Sequence, residues 1–323
     1  LRQHRLVLAI GELLAVHLDR KVAELAHLGC DLAVVRLGKV ARKPRRQQRI
    51  VIELVPETRR FLEERHDANL PRYCPDVNLL LIDPGELRSD GTCVIADRRM
   101  HHLRTVLGVE VGSTIKAGVL GGAQGTGEVI AIDGDGITLR LALTNSPSRP
   151  LDVELLLAVP RPKVITRTIE IAASFGVRRI DMTNAWRVDK SYLRSPRLDP
   201  MALTLAARFG AEQGGTTHLP EIAVHDRLMG VLDARFPAPD GSAAELRLVA
   251  HPSAPPIEDV VTSRTSVVLA IGPEGGWIER ELETFVARGF RPVSLGAPIL
   301  RVEAAVASAL GQLLLLHRLR GAH

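Results

Sequence analysis

Cysteine is scarce: the 323-residue chain holds three, Cys30, Cys74 and Cys93. Their odd number and wide spacing make neither a disulfide framework nor a metal site. A reducing, cytoplasmic setting without a bound metal is therefore expected. Long apolar runs are missing as well. No uninterrupted stretch reaches the roughly 18 residues that a membrane-spanning helix needs. The longest candidate, Leu6–Val16, is broken by Gly11 and Glu12. Glu12, His17 and Asp19 then follow without the small-residue cleavage site of a signal peptide. Composition argues against global disorder, since 46% hydrophobic and 24% charged residues is an ordinary globular balance. The length fits about two domains at roughly 150 residues each.

The basic excess is local. Of 42 Lys and Arg against 37 Asp and Glu, residues 1–76 hold 15 basic and 10 acidic side chains. The other 247 residues hold 27 of each and carry no net charge. The overall charge thus says nothing about nucleic-acid binding beyond residue 76, and only local clusters can.

Residues 1–76 read poorly as a domain. An amphipathic helix is expected over Leu6–Leu28, followed by a basic run, Lys39–Arg49. Three readings stand: an RNA-contacting arm, a solvated or disordered basic linker, or sequence upstream of a natural start at Val77. The first methionine is Met100, and the strand-like Val77–Ile82 begins directly after this segment.

Residues 77–147 form a β-rich unit. Strands are expected at Asn78–Ile82, Thr92–Ala96, Ser113–Ala117, Gly127–Ile132 and Ile137–Leu143, separated by turn signals such as Asp133-Gly-Asp-Gly136. Met100, Leu103, Val106 and Leu107 recur at helical spacing within Asp97–Leu107. Short strands with one helix suggest a small closed barrel. Asn145–Pro150 reads as a linker. Residues 151–323 then alternate strands (153–159, 179–182, 246–250, 266–271, 292–295) with helices (163–175, 199–213, 279–288, 302–319). Such alternation predicts an α/β domain with a mainly parallel sheet.

Two loops concentrate the chemistry. Ile271-Gly-Pro-Glu-Gly-Gly276 follows a buried strand and precedes a helix. Its glycines allow backbone to approach whatever lies there. Its spacing is wrong for a dinucleotide fingerprint, and it lacks the Lys-Ser/Thr of a P-loop. Ser294-Leu-Gly-Ala-Pro-Ile-Leu-Arg-Val-Glu303 repeats the strand–loop–helix pattern. Arg301 there holds an anionic group or pairs with Glu303.

Together these loops resemble the RsmE family of ribosomal RNA uracil-N3 methyltransferases, of the SPOUT class. That family carries an I-G-P-E-G-G loop and an S-L-G-x-x-I-L-R-x-E-T-A loop. Both stand here in order, the second with Ala304 in place of Thr. Leu81–Leu87, His101-His-Leu-Arg104, Val159–Lys163, Ala173–Val177 and Gly210–Gly214 with Leu219–Ile222 match further. The resemblance covers about 77–320 and leaves out 1–76.

It implies a small PUA-like, RNA-binding β-barrel at 77–147 before a trefoil-knotted, mainly parallel α/β domain at 151–323. S-adenosylmethionine is the implied cofactor, among the loops at Val249–Ser253, Gly272–Gly276 and Leu295–Leu300. The cofactor residues are then Val249, His251, Gly272, Pro273, Gly275, Gly276, Leu295, Gly296, Ile299 and Leu300. The implied reaction methylates N3 of a uridine in 16S RNA of the small ribosomal subunit, with a homodimer completing the site. Arg301 is the choice for stabilising negative charge on the base, and Glu303, Glu274 and Glu212 are candidate bases. His101, His102 and Arg104 on the barrel join Arg161, Lys163, Arg167, Arg187, Lys190 and Arg194 as candidate RNA contacts. Two other readings stay open: a methyltransferase for another RNA site, and a non-catalytic RNA-binding or ribosome-assembly protein.

Overall fold

The computed structural model describes residues 6–9, 49–52, 79–239, 245–263 and 265–320. The chain divides into two compact units, Leu1–Pro71 and Arg72–His323. In the first, β1 (Leu6–Ala9) pairs antiparallel with β2 (Arg49–Ile52), Leu6 lying opposite Ile52. This corrects the helix expected from Leu6. The run Leu-Val-Leu-Ala is as compatible with a strand as with a helix, and it finds a β-branched partner in Arg-Ile-Val-Ile. The rest of that expected helix, and the basic run up to Gln48, lie outside the described residues.

The second unit contains two sheets. The smaller is built from β3 (Leu80–Ile82), β4 (Thr92–Ile95), β5 (Thr114–Val119), β6 (Gln124–Ile132) and β7 (Ile137–Asn145). Helix α1 (Arg98–Thr105) follows β4, and the Asp97 carboxylate caps it by accepting the Arg99 N–H at 2.9 Å. The strand order is β3-β5-β6-β7-β4, with only the β3–β5 pair parallel. Among the described residues no ladder joins β3 to β4, so hydrogen bonding does not close the expected barrel. Two register shifts bend β6 against β7, as bulges do. At Gly125 a Cβ would fall 1.8 Å from the Ala142 carbonyl oxygen, so only glycine fits. The enclosed core includes Leu80, Ile82, Ile95, Leu103, Ile115 and Leu139. Cys93 is part of it, and burial pushes its thiol up to about 11, which makes it chemically quiet.

The larger sheet is wholly parallel. In chain order come β8 (Leu151–Ala158), α2 (Pro162–Ser174), β9 (Val177–Thr183), α3 (Pro200–Gly214), β10 (Glu221–His225) and α4 (Leu228–Arg235). Then follow β11 (Glu245–Ala250), α5 (Ile257–Val260), β12 (Ser266–Ile271), α6 (Glu279–Ala287), β13 (Arg291–Val293) and α7 (Val302–Arg320). The strand order is β10-β9-β8-β12-β11-β13. Central β12 is buried from Val267 through Ile271, the near-continuous apolar run of a strand covered on both faces. The elements that sequence periodicity passes over are β10, α4 and the single turn α5. Edge strand β10 has no buried residue, so it shows no apolar run.

Helix α3 starts where its capping residues say it should. Asp199 accepts from the Met201 and Ala202 N–H groups, and Pro200 occupies the first turn. Its Gly210 and Gly214 let α2 approach closely. A Cβ at Gly210 would lie 2.2 Å from the Glu170 carbonyl oxygen, and one at Gly214 2.1 Å from that of Ser174. Helix α7 bears on the sequence reading of membrane segments. It is long and apolar enough to cross a membrane by length and composition, although no uninterrupted apolar run marks it. Its Val306, Ala309, Leu310, Leu313 and Leu316 are buried in the core of the α/β sheet.

A polar cluster lies at the β8–β9–β10 side of the sheet. Asp181, 1% exposed, accepts from Arg179 Nε at 3.0 Å and pairs with His225 Nε2 at 2.7 Å and with Arg235. Arg235 also reaches Glu154 at 2.6 Å. Burial alone would raise the Asp181 carboxyl. The hydrogen bonds from Arg179 and His225 and the charge of Arg235 outweigh it and hold the group below the usual carboxylate range.

Candidate active site

Three loops leave the C-terminal ends of the neighbouring strands β12, β11 and β13, the edge at which parallel sheets hold ligands. The loop after β12 turns tightly, with the Gly276 N–H donating to the Pro273 carbonyl at 2.8 Å and Gly276 at φ 73°. The loop after β13 is tied to the loop after β11. Ser294 N–H donates to Pro255 at 2.7 Å, and Ile257 N–H donates to Ser294 at 3.1 Å. From α7, Gln312 Nε2 donates to the Leu295 carbonyl at 2.9 Å. These bonds fix three otherwise irregular backbones around a cavity of about 320 Å³.

Nine of the ten cofactor residues read from the sequence line that cavity: His251, Gly272, Pro273, Gly275, Gly276, Leu295, Gly296, Ile299 and Leu300. Val249 does not. It is buried within β11, with Ala270 and Pro292 as its strand neighbours, and supports the loop from below. Trp277, Arg187, Val302 and Ala305 also line the cavity and were not read as part of it. Ala305, in the first turns of α7, donates its N–H at 2.7 Å to the carbonyl of Arg301, four residues earlier at the end of the third loop. That spacing was the available signal. Trp277 is 6% exposed, and a Cβ on Gly272 would come within 3.2 Å of its backbone nitrogen and of its indole Nε1.

The candidate catalytic groups separate. Glu274 lines the cavity, and its Oε1 accepts the backbone N–H of Arg161 at 2.9 Å, with Arg161 Nε at 3.8 Å. Arg301 is exposed at the end of the third loop and makes no ion pair with Glu303 among the described residues. Glu303 is half-buried in the first turn of α7 and does not line the cavity. Glu212 lies elsewhere, on α3, between Arg98 at 3.6 Å and Arg208 at 3.7 Å. Burial raises its carboxyl pKa against the pull of those arginines. Arg208 in turn holds both Asp83 oxygens at 2.9 Å and the Leu81 carbonyl at 2.9 Å. Glu212 thus belongs to the contact between α3 and the small sheet, and does not line the cavity.

The basic candidates are mostly surface groups. Arg161, Lys163, Arg167, Arg187, Lys190 and Arg194 are exposed, and so are His101 and His102 on α1. Two of them touch the loop after β12: Arg161 through Glu274, and Arg187 through its Nη1 bond to the Gly275 carbonyl at 2.5 Å. Arg167 pairs with Glu170 at 3.5 Å, and Arg104 bonds the Asp133 carbonyl on the small sheet. Arg197, which the sequence reading passed over, reaches from the loop before α3 to Thr166 on α2 at 2.9 Å. Among the described residues no group of three His, Cys, Asp or Glu side chains is placed to hold a metal ion.

A family model for the RNA methyltransferase domain matches residues 147–314, just over half of the chain. The chain belongs to the RNA methyltransferase domain family. The match takes in all three loops and ends within α7, and the small sheet with His101, His102 and Arg104 precedes it. Curated relatives extend over more of the chain. The ribosomal RNA small subunit methyltransferase E of Treponema pallidum is 27% identical over 253 residues, covering 72% of this chain and 89% of the relative. The protein of the same name from Synechocystis is 27% identical over 241 residues, covering 72% and 76%. Among solved structures, the ribosomal RNA small subunit methyltransferase E from Neisseria gonorrhoeae bound to S-adenosyl methionine has the same fold. Its TM-score is 0.59 at 22% identity, with 74% of this chain and 98% of that one covered.

Proposed function

We propose that this methyltransferase transfers a methyl group from S-adenosylmethionine to N3 of a uridine in the RNA of the small ribosomal subunit. The observation that carries the reading is the convergence of both glycine loops on one cavity at the C-terminal edge of a parallel sheet. The cavity fits the cofactor in kind. Backbone with little side chain faces it at Gly272, Gly275, Gly276 and Gly296, beside apolar walls from Leu295, Ile299 and Leu300. The curated relatives and the ligand of the Neisseria structure point the same way.

When bound, the cofactor supplies an electrophilic methyl on sulfonium. The protein's task is to present N3 to it and to manage the N3 proton. We assign charge stabilisation on the uracil carbonyls to Arg301, which is exposed and not committed to Glu303. Glu303 is the proposed base. Its two rivals are engaged, Glu274 with the Arg161 backbone and Glu212 with Arg98 and Arg208. The exposed cations Arg161, Lys163, Arg187, Lys190 and Arg194 are proposed phosphate contacts, with His101 and His102 from a PUA-like small domain. The reading also carries a trefoil knot in residues 151–323, a homodimer and a cytoplasmic location.

The test is methyl transfer from labelled S-adenosylmethionine to small-subunit RNA, large-subunit RNA and transfer RNA, in naked and assembled forms. Label confined to the small subunit supports the proposal. Label in another RNA refutes the substrate, and label in none refutes the activity.

A further inference from the structure

Trp186 is one of two tryptophans in the chain, and the two have opposite surroundings. Trp277 is 6% exposed, whereas Trp186 is 79% exposed. The exposure of Trp186 is imposed by its setting. Ala185 and Val188 are both buried, and the Val188 N–H donates to the Ala185 carbonyl at 3.0 Å. Trp186 and Arg187 therefore occupy the two corner positions of a β-turn whose flanks are anchored in the core. The Trp186 N–H donates to Glu281 Oε1 at 2.8 Å. The other oxygen of Glu281 accepts the Ile278 N–H at 3.0 Å, at the start of the helix that follows the cavity loop. Arg187 lines the cavity and bonds the Gly275 carbonyl. A large apolar ring is thus held out into solvent by a fixed backbone, one residue from the cavity wall and beside a cation.

We propose that Trp186 is a stacking platform for an unpaired base of the RNA substrate, and so a positioning residue for methyl transfer. The inference rests on the RNA-modifying reading of the site. A base inside a folded RNA must be splayed out before it can react, and an aromatic face repays the lost stacking. The π-face of indole accepts any base, while Arg187 and Lys190 alongside attract the backbone. A pre-anchored turn keeps the ordering cost of the ring low.

Two measurements on the full chain test this. The first is tryptophan fluorescence during titration with single-stranded oligoribonucleotides of each base. Quenching is expected in the native protein and should be lost in Trp186→Phe, whose remaining indole is the buried Trp277. The second is methyl transfer to small-subunit RNA with calorimetry of S-adenosylhomocysteine. Trp186→Ala should raise the KM for RNA about fivefold or more, Trp186→Phe should restore part of it, and both should keep cofactor affinity. Absence of quenching by every oligonucleotide overturns the platform. So does concentration-dependent quenching without RNA, or loss of self-association in Trp186→Ala, either of which would assign the ring to a protein interface. Quenching without uridine methylation refutes the proposed reaction and leaves the platform standing.

Discussion

Glu274 and Arg161 lie 113 residues apart in sequence, yet one oxygen of the Glu274 carboxylate accepts the Arg161 backbone N–H at 2.9 Å. The bond pins the loop after β12 to the residue that opens α2, and it gives Glu274 a positioning role. Glu274→Gln retains an acceptor oxygen and should keep cofactor affinity and turnover within about threefold, since a neutral acceptor replaces a charged one at a modest cost. Glu274→Ala should weaken the cofactor about tenfold by freeing the loop. A drop of about 10²–10⁴ in single-turnover rate for the Gln variant, at unchanged cofactor affinity, would instead make Glu274 the general base.

Gly275 faces a neighbour as well as the cavity. A Cβ there would stand 3.1 Å from Arg187 Cδ and 3.4 Å from its Cβ. Gly275→Val should push Arg187 from the Gly275 carbonyl and narrow the cavity, lowering S-adenosylhomocysteine affinity about tenfold or more while the far-ultraviolet circular dichroism stays native. Native affinity by calorimetry in a folded variant would contradict the assignment of this loop.

Asp181 should govern acid stability. Its folded pKa is lowered, so its contribution is present above the unfolded value and is lost as pH falls through the folded one. Asp181→Asn should cost about 3 kcal/mol near pH 7, because it leaves the partly buried Arg179 and Arg235 without their shared carboxylate. Urea unfolding should show that difference narrowing as the pH drops below the ordinary carboxylate range. A constant difference across that range would show that packing, and not charge, is what the substitution removes.

The division at Pro71 and Arg72 predicts that a chain shortened to Val77–His323 stays soluble and keeps its methyl-transfer activity. Every motif that carries the family resemblance lies beyond residue 77. Sedimentation and methyl incorporation on the shortened protein are the checks, and insolubility or lost activity would assign the first 76 residues to the working molecule.

The parallel sheet was legible because its strands and helices alternate with distinct periods. Asp199-Pro200 marks the start of α3 by local chemistry alone. The cavity loops were legible at Gly272–Gly276 and Leu295–Leu300, where glycine and proline expose backbone and where the family resemblance puts the cofactor. What sequence could not give was contact across long separations. Nothing local says that Glu212 faces Arg98 or that Glu274 holds Arg161, so both carboxylates read as candidate bases. Nor does Trp277 announce that its indole packs beside Gly272. Leu6–Ala9 failed differently, since four apolar residues fit either period and a distant partner, Arg49–Ile52, decided the outcome.

The central claim is methylation of uridine N3 in small-subunit ribosomal RNA, and the most direct measurement is mass-spectrometric mapping of that RNA. Small subunits lacking the modification would be treated with the protein and S-adenosylmethionine, then digested and sequenced by fragment mass. The account predicts one N3-methyluridine at a single position, strongly reduced with Arg301→Ala. A methyl group on a different atom or base, methylation in another RNA, or an unchanged small-subunit map would contradict it.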